Sequence, residues 1–153
     1  MHEFINSPFH IGALAFPNRL IQGPLAGYTC APFRQLVYQF TPPAYCCSEM
    51  LSAHDLNHQS AEKARRFIYR APEETRLCYQ ISGHDPHTLA LAAKKLETLG
   101  ADLIDINCGC PKTKIRKKGA GSALLEKPSQ LLSIIDSVRQ AIRIPLTVKL
   151  RLQ

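Results

Sequence analysis

An α/β fold built on a parallel sheet is what this 153-residue sequence predicts, and three observations carry the prediction. Short apolar runs alternate with amphipathic stretches at roughly 30-residue spacing, the pattern of right-handed βαβ units. Polar or special residues stand at one end of successive runs: Pro24-Leu25-Ala26, Glu49, Gln80, Asn107 to Cys110, and Lys149. That recurrence fits a TIM-type (β/α)8 barrel, whose chemistry gathers at one mouth of many strands, better than a doubly wound sheet with a single switch point. A whole barrel needs roughly 200 residues or more. The chain is therefore expected to hold about the first five strands and four helices, a truncated barrel.

Each element follows in order. Phe9 to Pro17 is expected to form a hairpin or plug across the barrel's bottom. Arg19 to Gly27 is a short strand running out into a Gly/Pro-rich end. Thr29 is the expected N-cap of a first helix with Phe33, Leu36, Val37 and Phe40 on its apolar face. Thr41-Pro42-Pro43 stops it, and Ala44 to Met50 is the second strand. His54 to Tyr69 is helix-compatible, and its Lys63, Arg65, Arg66 and Arg70 read more readily as a solvated face than as a binding stripe. Arg76 to Ile81 is the third strand. Asp85 then caps a helix with Pro86 at its first position, an apolar stripe of Leu89, Ala92, Ala93, Leu96 and Leu99, and a stop at Gly100. The fourth strand is Leu103 to Ile106. Pro128 opens a helix with Leu131, Ile135, Val138 and Ile142 on one face, and Leu146 to Leu150 is the fifth strand.

The formal net charge of +7 favours an acidic partner, with a generic solubility charge as the bland alternative. The first residues lack a basic n-region followed by an apolar h-region, and no stretch approaches the roughly 18 apolar residues of a membrane span. A cytoplasmic protein without membrane contact is expected. None of the six cysteines forms a Cys-x-x-Cys pair, and Cys108-x-Cys110 has no second pair to complete a metal site, so no metal is expected. Most of these thiols read as small core hydrophobes in a reducing compartment.

The remaining thiol is the centre of the chain. In Asp105-Ile106-Asn107-Cys108-Gly109-Cys110-Pro111 a strand ends at Asn107, and Gly109 and Pro111 leave Cys110 at its mouth. Five cations follow between Lys112 and Lys118, then a Gly119-Ala120-Gly121 turn. A thiol at a strand end beside a basic loop suggests work on a polyanion. A strand-to-helix turn with a buried cysteine and a solvated loop is the alternative.

Four stretches, at this order and spacing, resemble the tRNA-dihydrouridine synthase family: Gly23-Pro24-Leu25-Ala26-Gly27 with Phe33-Arg34, Gln80-Ile81-Ser82-Gly83, Asn107-Cys108-Gly109-Cys110-Pro111, and Thr147-Val148-Lys149-Leu150-Arg151. Ser48-Glu49-Met50 and Gly119 to Leu125 resemble the bacterial members. The resemblance implies that residues 1–153 are the N-terminal part of an FMN-binding TIM-barrel domain. The remaining strands and a C-terminal helical tRNA-binding domain would lie beyond. It also implies NADPH-driven reduction of the uridine 5,6 double bond in tRNA, with hydride delivered to C6 and Cys110 protonating C5. A thiol of ordinary pKa, about 8.5, is mostly protonated near neutrality and suits that task. Cys108 is then structural.

On the same resemblance, Pro24, Leu25 and Ala26 meet the isoalloxazine ring, Gln80 its pyrimidine edge, and Lys149 the N1/C2=O region. Asn107 meets the substrate nucleotide, and Lys114, Arg116, Lys117 and Lys118 serve tRNA phosphates. An amide satisfied inside the barrel is the other reading of Gln80. Leu25 stands where Met is commoner, and Tyr28-Thr29-Cys30 replaces a Thr-Asp. Two alternatives remain: a flavin barrel acting on a free pyrimidine, and a fragment holding motifs without an assembled site. In either of the truncated readings, exposed strand edges invite self-association.

Overall fold

The computed structural model describes residues 2–152. A short helix α1 (His2–Ile5) leads into the antiparallel hairpin β1 (Phe9–Ile11) and β2 (Leu14–Phe16), which turns at Gly12. There follow β3 (Ile21–Gln22), α2 (Ala31–Phe40), β4 (Tyr45–Cys47), β5 (Leu51–Ser52), α3 (Ala53–His58), α4 (Ala61–Ile68), β6 (Leu77–Ser82) and α5 (Pro86–Thr98). After β7 (Leu103–Cys108) come α6 (Thr113–Arg116), a 3-10 helix (Gly121–Glu126), α7 (Pro128–Ala141) and β8 (Leu146–Leu150).

Strands β3, β4, β6, β7 and β8 lie parallel and side by side in chain order, with β5 a short addition along β6. Each strand adds beyond its predecessor, and the order never reverses. This is five strands of a TIM-type barrel, with helical connections on the outer face.

The two faces of the sheet differ in partner. Tyr79, Ile81, Ile104 and Ile106 point outward and are sealed by Leu89, Ala93 and Leu96 of α5 and by Ile134 and Val138 of α7. Each such side chain contributes about 1.5–3 kcal/mol of burial. The inner face is apolar only at its lower end, where Tyr45, Cys47, Cys78 and Leu103 pack on Phe16 of the hairpin. The Phe16 ring stands 5.5 Å from Tyr45 and 4.9 Å from Phe9. The hairpin therefore plugs the bottom, as expected, and leaves the upper inner face to polar side chains.

Three local expectations are corrected. Cys30, not Thr29, is the N-cap of α2, because the Thr29 hydroxyl is taken by Leu25: it accepts from the Leu25 N–H at 3.1 Å and donates to the Leu25 carbonyl at 3.2 Å. Helix α2 leaves Leu36 and Phe40 exposed and buries Arg34. That guanidinium binds Glu74 through two nitrogens and donates to the carbonyls of Thr29 (2.7 Å) and Tyr69 (2.8 Å). The His54–Tyr69 stretch is two helices, because the Ser60 hydroxyl accepts from the Lys63 N–H and starts α4 anew. The Asp85 cap holds: its carboxylate accepts from the Thr88 N–H at 2.7 Å.

Candidate functional site

The Cys110 loop leaves β7 at the C-terminal mouth and is held from three sides. The Asn107 side-chain oxygen accepts from the N–H groups of Cys110 (3.0 Å) and Gly109 (3.3 Å). The Ser122 N–H donates to the Cys110 carbonyl at 3.0 Å, and Arg151 Nε donates to the Gly109 carbonyl at 2.9 Å. Gly121 makes the second contact possible. Its φ is +64°, and a Cβ there would stand 2.7 Å from the Cys110 oxygen. Cys110 itself is half-buried, open enough to meet a ligand and fixed enough to aim. Cys108, two residues earlier, faces the outer core and is fully buried; burial, with Asp105 adding to it, pushes its thiol up to about 12.

Below the loop runs a hydrogen-bonded chain across three strands. Strand register sets Gln80 beside Asp105 and Asp105 beside Thr147. Asn107 Nδ2 donates to Gln80 Oε1 (2.9 Å), Gln80 Nε2 donates to Asp105 Oδ2 (2.7 Å), and the Thr147 hydroxyl donates to Asp105 Oδ1 (2.7 Å). Burial raises the Asp105 carboxyl above its ordinary range. The Gln80 and Thr147 hydrogen bonds and the charge of Lys149 pull the other way. Lys149 stands level with Asn107 in the register and is exposed. Gln80 thus has the satisfied amide weighed above, although one N–H and one oxygen lone pair remain free by count.

At the other edge of the mouth, Pro24, Leu25 and Ala26 form the turn after β3, with Leu25 about half exposed. Glu49, at the end of β4, accepts the Gly27 N–H at 2.6 Å and so ties this turn to the sheet. Among the described residues two buried side-chain oxygens have no hydrogen-bond partner, Glu49 Oε1 and Gln22 Oε1. The nearest cation to Glu49 Oε1 is Arg66, at 3.8 Å. Orphaned acceptors at adjacent strand ends suit a ligand rich in N–H and O–H donors.

The basic loop divides. Arg116 is committed internally, donating to Ser122 Oγ at 2.8 Å and pairing with Glu126 at 2.5 Å. Lys114, Lys117 and Lys118 are exposed. Lys114 and Lys118 line a cavity of about 600 Å3 beside the mouth. Among the described residues no group of three or more His, Cys, Asp or Glu is arranged to hold a metal, and no helix is long and apolar enough to cross a membrane.

Sequence reasoning assigned no role to Asp105 or Gln22, and it read Gly121 as a turn residue without its contact to Cys110. Alternation along β7 could have flagged Asp105, since it shares the inward parity of Asn107. Nothing local marks Gln22 as orphaned.

Five parallel strands in chain order, with a thiol-bearing loop and unpaired polar groups at their C-terminal mouths, define part of a TIM-type barrel that gathers its polar side chains at one end. The family model described as "Dihydrouridine synthase (Dus)" matches residues 21–153, and the chain belongs to that family. It is 42% identical over 146 residues to tRNA-dihydrouridine synthase B of Pseudomonas aeruginosa, spanning 95% of this chain and 43% of the relative. It is 40% identical over 141 residues to tRNA-dihydrouridine synthase B of Escherichia coli K12, spanning 92% and 43%. The chain thus spans about two-fifths of the length of these relatives. Histamine dehydrogenase from Rhizobium sp. 4-9 shares the fold, with a TM-score of 0.69 at 12% identity over 97% of this chain and 34% of that one.

Proposed function

We propose that the protein carrying this chain reduces uridines in tRNA to 5,6-dihydrouridine, with FMN at the strand mouths and NADPH as reductant. One observation carries the reading: in a dihydrouridine synthase family chain, Cys110 is the half-exposed thiol at the mouth, braced by Asn107, Ser122 and Arg151. FMN, when bound and reduced, supplies the hydride for C6 of the base.

This chain's residues supply the rest. Cys110 Sγ–H gives its proton to C5, and Cys108 is kept from competing by burial. The Pro24-Leu25-Ala26 turn, tied down by Glu49, offers close backbone approach to the flavin ring. Glu49 Oε1 and Gln22 Oε1 are acceptors in want of donors, which the imide N–H and ribityl hydroxyls of FMN provide. Gln80, buried with its amide bonded to Asp105 and Asn107, has by count one donor and one acceptor left for the pyrimidine edge. Lys149 places a cation where reduced flavin carries negative charge. Asn107, while fixing the Cys110 loop, has one side-chain N–H left for the substrate nucleotide. Lys114, Lys117 and Lys118 attract tRNA phosphates, whereas Arg116, offset by Glu126 and bonded to Ser122, braces the loop that carries them.

The reading is tested in a barrel completed to eight strands, supplied with FMN, NADPH and either unmodified tRNA or free uridine. Dihydrouridine in tRNA alone, falling as salt rises, is expected. Equal or preferred reduction of a free pyrimidine would overturn it in favour of a small-molecule reductase.

A further inference from the structure

We propose that the cavity bounded by α3, the β6–α5 turn and α6 is a second nucleotide site. It would take a ribonucleotide unstacked beside the one presented to Cys110. The proposal rests on the RNA-reductase reading above and adds a subsite to it.

The cavity measures about 600 Å3, within the range of small-molecule sites. Its walls come from residues between Met50 and Ala120, and Gln80, Asn107, Cys110 and Lys149 are not among them. It therefore lies beside the inner-face residues assigned above to flavin and substrate, not among them. It is also adjacent to the thiol. A Cβ on Gly121 would lie 3.0 Å from Cγ2 of Ile115, a cavity residue, and 3.1 Å from the Cβ of Cys110. One glycine separates the two places.

The lining has three chemistries. Leu56, Phe67 and Ile115 give an apolar surface suited to the face of a base. Lys114 and Lys118, on the wall shared with the Cys110 loop, make no side-chain hydrogen bond or ion pair among the described residues, unlike Arg116. From α3 and the residue that caps it, the carboxylate of Asp55 and the amide of Gln59 can accept from a ribose 2′-OH or a base edge. A bare anion would leave the apolar surface and the acceptors unused, and an apolar metabolite would leave the lysines unused. A ribonucleotide uses all three. Its phosphate would meet Lys114 and Lys118, four and eight residues after Cys110 in the chain, and would there be the link to the neighbouring nucleotide.

A barrel completed to eight strands is irradiated with 4-thiouridine 5′-monophosphate, and the cross-linked peptides are identified by mass spectrometry. Uridine 5′-monophosphate, uridine and inorganic phosphate are the competitors. Cross-links within residues 50–67, 82–88 or 113–120 are expected, with the monophosphate competing at least tenfold better than uridine or phosphate. Removing both ammoniums in Lys114→Ala/Lys118→Ala should cut cross-linking roughly tenfold or more, the scale of a hydrogen bond to a charged group. Both lysines are exposed, so the fold is not at stake. Cross-links confined to other peptides, a double variant that labels like the parent, or phosphate competing as well as the monophosphate would each overturn the proposal. Dihydrouridine formation is not read in this experiment. A cavity that ignores the nucleotide leaves the Cys110 chemistry standing, and one that binds it does not rescue that chemistry.

Discussion

Replacing Gly121 with alanine tests how the thiol is aimed. At φ +64° a side chain costs about 1–2 kcal/mol. The new Cβ would also sit 2.7 Å from the Cys110 carbonyl oxygen, a backbone atom that cannot rotate away. Relief requires the Cys110 loop to move, which breaks the 3.0 Å bond from the Ser122 N–H and loses about 1 kcal/mol more. The expected loss is about 2–3 kcal/mol, or a fall of about 1 M in urea midpoint for a slope near 2 kcal/mol/M. Parent and variant are compared at one matched protein concentration. Alkylation by iodoacetamide, mapped by peptide, supplies the local readout, with half-buried Cys30 as internal reference. The Cys110 rate should change relative to Cys30. A midpoint within 0.2 M of the parent, with the Cys110 to Cys30 ratio unmoved, would refute the claim that Gly121 shapes this loop (the smallest shift such a slope resolves is roughly 0.4 kcal/mol).

Three further outcomes are expected. Glu74→Ala should destabilise by about 3–5 kcal/mol in urea unfolding, because it strands the buried Arg34 guanidinium and the Ala71 N–H that the carboxylate now satisfies; Arg34→Met/Glu74→Leu should recover much of the loss. Glu97, held down to about 2 by Lys94 first and then by the Arg143 N–H, contributes stability that is present above the unfolded carboxylate's ordinary value of 4.5 and lost as pH falls toward 2; Glu97→Gln should flatten that part of a stability-versus-pH curve. The 153-residue chain alone should elute from a sizing column well above 17.1 kDa and carry little flavin, since among the described residues the outer edges of β3 and β8 are unpaired and Leu150 and Leu152 are exposed; a yellow monomer would contradict this.

Much of the architecture was legible because its signals are local. Apolar runs mark β6, β7 and β8, Asp85-Pro86 and Gly100 bracket α5, and Gly119 and Gly121 mark the turn against Cys110. What escaped depends on partners far along the chain. Arg34 stands in the Phe33-Arg34 motif without a role until Glu74, forty residues away, receives it in the core. Gln80 could be committed or free, and only folding brings Asp105 and Asn107 to its amide. Arg116 looked like its lysine neighbours, yet Ser122 and Glu126 hold it. The apolar stripe of α2 misled because Leu36 and Phe40 are left exposed while Ala31 and Arg34 take the buried face.

The central claim is that Cys110, and not Cys108, is the acid. In a barrel completed to eight strands and loaded with FMN, dihydrouridine formed in tRNA is measured for the parent, Cys110→Ala and Cys108→Ala. Loss of a positioned acid should slow Cys110→Ala by about 10²- to 10⁴-fold with flavin still bound. Cys108→Ala should keep its rate once corrected for the fraction folded, because its thiol faces the outer core. A Cys110→Ala enzyme that reduces tRNA at the parental rate would contradict the account.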